Sequence, residues 1–169
     1  MKANETKVDK FLATNETTFA IPVYQRNYDW TLFQCKQLLH DIIETGKNDK
    51  TNAHFIGSIV YVHDDVYTAS GLTELTIIDG QQRLTTITLI YIALYRLAKE
   101  LDNQMLVNRI QKTYLINEFA PEEEKLKLKP TENNKEALRH ILNSADGEEF
   151  KGYSKIIENF DYFKSAINA

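Results

Sequence analysis

The residues most able to do chemistry lie in the segment Ile77-Ile78-Asp79-Gly80-Gln81-Gln82-Arg83-Leu84-Thr85-Thr86, which sets a polar cluster between an apolar stretch and the start of a helix. Anions favour such a place. Free backbone N–H groups and the positive helix end attract phosphate, a glycine lets the backbone approach closely, and a guanidinium offers a fork of donors that fits phosphate oxygens. Gly80 is that glycine and Arg83 that fork. The amides of Gln81 and Gln82 can hold a ligand or orient a water, and the hydroxyls of Thr85 and Thr86 can reach an oxyanion or a metal-bound water. Asp79 can hold a divalent cation such as Mg²⁺, or a ribose. The plainer alternative is that Asp79 and Arg83, four residues apart, form only a surface ion pair beside an N-cap.

A second cluster, Ile21-Pro22-Val23-Tyr24-Gln25-Arg26-Asn27-Tyr28-Asp29-Trp30, is densely aromatic for a loop and holds the chain's one tryptophan. Either Tyr24, Tyr28 and Trp30 plug the core while Arg26 is solvated, or Gln25 and Arg26 reach the Gly80 turn and complete an anion site.

These segments need elements to position them. Val8 to Leu12 reads as a short helix and Thr18 to Ile21 as a strand stopped by Pro22. Thr31-Leu32-Phe33-Gln34 fits a capping box that opens a helix with Cys35, Leu38, Leu39, Ile42 and Ile43 on its buried face and Gly46 as its C-terminal cap. A polar loop is predicted over Asn48 to Asn52, a strand over Phe55 to Val62, a turn over Asp64 to Gly71, and a partner strand over Glu74 to Ile78 that runs into Asp79-Gly80. From Arg83 the apolar period becomes helical, through Leu84, Ile87, Ile90, Tyr91, Leu94, Leu97 and Leu101. Further helices are predicted over Gln104 to Asn117, Asn134 to Asn143 and Tyr153 to Ile167, with Leu126 to Lys129 as an edge strand. Strands before Asp79 and helices after it imply an α+β fold: a small mixed sheet with packed helices, over residues 1–101, and a mostly helical extension over 102–169.

Composition closes off several other functions. The chain has 169 residues and a net charge of -4, spread evenly over its halves, so neither half is a basic arm for DNA. Its single cysteine, Cys35, permits no internal disulfide, and His40, His54, His63 and His140 lack the spacing of a metal site. The longest apolar run, Ile87 to Ala98, is too short to span a membrane, and the polar N-terminus lacks a secretory h-region, so the expected location is the cytoplasm. Gly147 and Gly152 have P-loop spacing, but Tyr153 stands where the phosphate lysine belongs.

Taken together, Ile21 to Trp30, Phe55-Ile56-Gly57-Ser58-Ile59-Val60 and Ile78 to Thr86 resemble the N-terminal domain of GmrSD-type restriction endonucleases. Leu126 to Thr131 resembles a weaker later motif, with Asn133-Asn134 where an acidic residue is expected. The resemblance implies a ParB/sulfiredoxin-like fold and a nucleoside triphosphate, with Mg²⁺, bound and hydrolysed at the motif Asp79, Gly80, Gln81, Gln82, Arg83. Arg83 and Arg26 would neutralise phosphates, and Tyr24, Gln25, Gly80, Thr85 and Thr86 would line the nucleotide. Gln81 or Gln82 would position the attacking water, and Asp79 would hold the metal. Sulfiredoxin chemistry itself is excluded, because Gln81 replaces the reactive cysteine and Cys35 sits on an apolar helical face. In such proteins this activity regulates cleavage of modified foreign DNA, phage DNA included, by an HNH-type nuclease domain that this chain does not supply. The expectation is therefore a fragment of a longer protein, favoured by the apolar pattern still running at Ala166 to Ala169, or a nuclease on another subunit. The rival readings are a non-enzymatic ParB-like module gripping DNA or a partner's acidic group, and a plain packing scaffold.

Overall fold

The computed structural model describes residues 1–50, 53–63 and 71–169; the turn expected over 64–71 and the end of the loop expected over 48–52 lie largely outside the described residues. The fold is α+β. A mixed sheet is built from β1 (Thr17–Ala20), β2 (Val60–His63), β3 (Thr73–Asp79) and β4 (Leu128–Lys129), in the order β2-β3-β1-β4. β1 runs parallel to both β3 and β4, with Phe19 opposite Leu75 on one side and Leu128 on the other, while β2 pairs antiparallel with β3. All four residues of β1 are buried, as expected of a strand with neighbours on both sides.

The helices are α1 (Val8–Leu12), α2 (Leu32–Lys47), α3 (Gln81–Glu100), α4 (Gln104–Ile110), α5 (Glu132–Asn143) and α6 (Lys155–Asn168). Thr31 and Gln34 form the expected capping box ahead of α2. Its C-terminus differs from expectation: the helix passes through Gly46 to Lys47 and is capped by Asn48 in extended conformation. Ile42 and Ile43 are each 42% exposed, because the stripe continues past the surface that α6 offers it.

The predicted strand over Phe55 to Val62 shortens to β2, since Gly57 adopts φ +107° and breaks the extended run. The predicted helix over Gln104 to Asn117 becomes α4 followed by a π turn, Gln111–Leu115, which stacks Tyr114 on Tyr91 at 4.3 Å between ring centroids.

α3 is the centre of the molecule and is buried on almost every side rather than along one stripe. Its threonines tolerate that burial because Thr86 and Thr88 donate back to the carbonyls of Gln82 and Leu84. Leu101, predicted on the buried stripe, lies at the helix end and is exposed. One apolar cluster joins Phe19, Ile77 and Leu128 of the sheet to Leu84, Ile92, Leu138, Ile156 and Phe163 of the helices, so residues on both sides of 101 share one core. Among the described residues no helix is long and apolar enough to cross a membrane.

Candidate functional site at the start of α3

β3 delivers Asp79 to the end of the sheet, and Gly80 turns the chain into α3 with φ +93°, a left-handed conformation that a side chain would strain. A side chain would also be tight there: a Cβ would lie 3.0 Å from the Ser58 carbonyl oxygen and 3.1 Å from Ile59 Cγ1, so that segment would have to give way by a little. The Gly80 carbonyl accepts the first helical bond, from Leu84 N at 3.0 Å. The fold thus lays the 57–59 backbone on the turn at the head of α3.

The aromatic loop reaches the same turn. Gln25 Nε2 donates to the Ile78 carbonyl at 2.9 Å, and Gln81 Nε2 donates to Gln25 Oε1 at 3.2 Å. Gln82 is bound on both ends of its amide, accepting from Asp29 N at 3.0 Å and donating to the Asn27 carbonyl at 3.1 Å. Gln82 therefore staples the 27–29 backbone to α3, whereas Gln81 keeps its Oε1 without a partner among the described residues.

Arg83 does not pair with Asp79 among the described residues; its Nη2 donates to the Ser58 carbonyl. The Arg83 Nε is buried and has no acceptor among the described residues. An orphaned cationic donor beside a helix N-terminus suits an incoming anion. Asp79 is exposed and free of ion pairs among the described residues, so its carboxylate can face a cation. No group of three or more His, Cys, Asp or Glu is assembled among the described residues. A single carboxylate fits Mg²⁺ that is shared with phosphate oxygens, and does not fit an all-protein metal cage.

The other candidate residues separate. Tyr24 is 72% exposed and does not plug the core, whereas Tyr28 is buried and Trp30 is half-buried against it. Arg26 faces solvent and pairs with Asp29 at 3.3 Å, so its guanidinium is not among the groups the structure brings onto the turn. Thr85 and Thr86 are buried, and the Thr86 hydroxyl is committed inward, 2.8 Å from Tyr28 Oη. Burial pushes the Tyr28 phenol well above its usual range and raises the Cys35 thiol, whose Sγ lies 3.7 Å from that phenol. Neither group is a nucleophile at neutral pH.

Several residues that hold the site carry no local sequence signal. Asn159 Nδ2 donates to Tyr28 Oη at 2.9 Å and to the Trp30 carbonyl at 2.8 Å, and Lys155 Nζ donates to the Asp29 carbonyl at 3.0 Å. Thr131 Oγ1 and Asn133 Nδ2 approach Asn27 Oδ1 at 3.4 and 3.3 Å. The later motif that ends at Thr131 thus lands on the aromatic loop, and that motif was its only trace in the sequence. A separate cleft of about 490 Å³, lined by Gln111, Glu122, Lys125 and Arg139 among others, lies away from the turn and includes none of its residues.

A comparison with protein-family models matches residues 8–168, nearly the whole chain, to the GmrSD restriction endonuclease, N-terminal domain. A comparison with curated proteins gave no match.

Proposed function

This chain belongs to the family of GmrSD restriction endonuclease N-terminal domains, and on that premise we propose that it binds and hydrolyses a nucleoside triphosphate as the regulatory part of a phage-defence nuclease acting on modified DNA. The observation that carries this reading is the meeting of three motifs at one turn. Gln25 bonds to Ile78 and Gln81, the Ser58 carbonyl takes Arg83, and the Nε donor of Arg83 is left over.

In this reading the N–H groups at the head of α3 and Arg83 receive phosphate oxygens, with Gly80 allowing the close approach. Asp79 holds Mg²⁺, which supplies charge neutralisation on the phosphates. Gln81, whose Oε1 has no partner among the described residues, orients the water that attacks the terminal phosphorus in line as the bond to the bridging oxygen breaks, giving nucleoside diphosphate and inorganic phosphate, since phosphoryl transfer depends mainly on positioning and charge neutralisation. Gln82 acts through the 27–29 backbone instead of touching substrate. Tyr24 and Arg26, exposed on the loop, face the base, the distal phosphates or DNA held by the full-length protein. The HNH-type nuclease belongs to another part of a longer protein or to a separate subunit, and the setting is the bacterial cytoplasm. The ParB-like fold implied by the motifs is part of the same proposal.

The test is calorimetric titration of ATP, GTP, CTP and UTP, each with Mg²⁺, into the native chain and into Arg83→Ala. A charge-assisted phosphate contact is typically worth ~1.5 to 3 kcal/mol, so the variant should lose more than tenfold in affinity. Equal binding by a folded variant removes the turn from the site. A native chain that binds no nucleotide but binds DNA with steep salt dependence replaces this reading with the DNA module.

A further inference from the structure

The backbone of residues 57–59 does more than border the turn. A Cβ on Gly57 would stand 2.7 Å from Arg83 Nη1 and 2.8 Å from its Cζ, at a φ of +107°. A side chain at 57 would strain the backbone and push the guanidinium aside, and the next carbonyl, that of Ser58, accepts from Nη2. Among the described residues Arg83 is therefore aimed by backbone and not by a carboxylate. Under the same segment the Arg83 Nε is out of reach of solvent and without an acceptor among the described residues. A guanidinium takes an oxyanion side-on through a pair of its N–H groups, and Nε is the buried one that this arrangement leaves without an acceptor among the described residues. A buried unsatisfied donor is costly, so the covered arrangement favours exchange for one in which an acceptor reaches it.

We propose that residues 57–59 form a cover that positions Arg83 and yields when an oxyanion engages its Nε, with Gly57 as the positioning residue. The inference rests on the nucleotide reading above, which supplies the oxyanion as a polyphosphate. Glycine at 57 is then a requirement of ligand binding and not only of chain geometry.

The experiment follows the Arg83 side-chain Nε–H resonance by nitrogen-15 NMR in the native chain, assigned by its loss in Arg83→Ala, with calorimetry alongside. Without ligand, that proton should exchange with solvent at least tenfold more slowly than the corresponding proton of exposed Arg26. Tripolyphosphate, or the tightest-binding nucleoside triphosphate, should shift it. Gly57→Ala should abolish the protection and weaken binding by more than tenfold. An unprotected Arg83 proton in the native chain overturns the proposal without need of any variant, and so does native affinity in Gly57→Ala. A nucleotide that binds and leaves the Arg83 signal unmoved sinks the cover while the nucleotide reading stands. A signal moved by tripolyphosphate and by no nucleotide keeps the cover and sinks that reading; no binding of either anion sinks both.

Discussion

Gln81 and Gln82 are adjacent and identical in type, yet the fold gives them different work. Neighbouring helical residues point roughly 100° apart, so only one of the two faces the 27–29 backbone. Gln82→Leu strips partners from Asp29 N and the Asn27 carbonyl, and an unmet buried group costs ~1 to 3 kcal/mol. Urea melts should show a loss of that size for Gln82→Leu and less than ~1 kcal/mol for Gln81→Leu, which gives up one bond to Gln25. Equal losses would mean that Gln82 is no staple. The sequence placed both residues at the turn but did not separate them, because the angle at which α3 meets the loop is a tertiary quantity. The same limit applies to Tyr24 and Tyr28: four residues apart on one loop, one is exposed and the other buried, and the difference lies in Thr86 and Asn159, which no local pattern connects to them.

At the scale of elements, α6 is the surprise. Its apolar face was legible as a helical period, and Ile156, Phe160 and Phe163 are buried as that period requires. Its polar contribution was not, since Lys155 and Asn159 sit one turn apart and grip Asp29, Tyr28 and Trp30 from the far end of the chain. α6 thereby holds the loop that Gln82 staples from the other side. Asn159→Leu removes two bonds and leaves the Trp30 carbonyl unmet, for about 2 kcal/mol. In a chain of this size that corresponds to a fall in melting temperature of roughly 4 to 8 °C, readable by circular dichroism. Nucleotide affinity should fall with it, and a variant that melts lower but binds as the native chain does would confine α6 to packing. The strand elements were less legible than the helices. The β-branched run before Val60 conceals the left-handed Gly57, and parallel pairing of β1 with β4 joins segments separated by most of the chain.

At the scale of the whole molecule, the ledger of charge and burial makes a prediction about pH through Lys127. The alternation Leu126 to Lys129 reads as an edge strand, and β4 does lie at the edge of the sheet, yet the Ile116 to Leu126 bridge and β4 carry Lys127 inward. It is 3% exposed, and its Nζ donates to the carbonyls of Leu12 at 3.0 Å and Thr14 at 2.8 Å, tying the end of α1 to the sheet edge with no carboxylate paired to it among the described residues. Desolvation lowers its pKa from 10.5 to about 8. Between those values the unfolded chain holds a proton that the folded chain has released, so stability contributed by this group rises with pH, from about 8 to about 10.5. Tyr28 and Tyr91 oppose it above pH 10, since burial raises both phenols, that of Tyr91 to about 12, and the unfolded chain loses those protons first. The raised thiol of Cys35 acts in the same opposing sense from about pH 9. Comparing native protein with Lys127→Met cancels these opposing groups. The native chain should gain on the variant as pH climbs through that window, by on the order of 3 kcal/mol at its end, in urea midpoints taken at each pH. A difference that stays flat with pH would show that Lys127 keeps its proton in the fold, its charge satisfied by the two carbonyls it already holds.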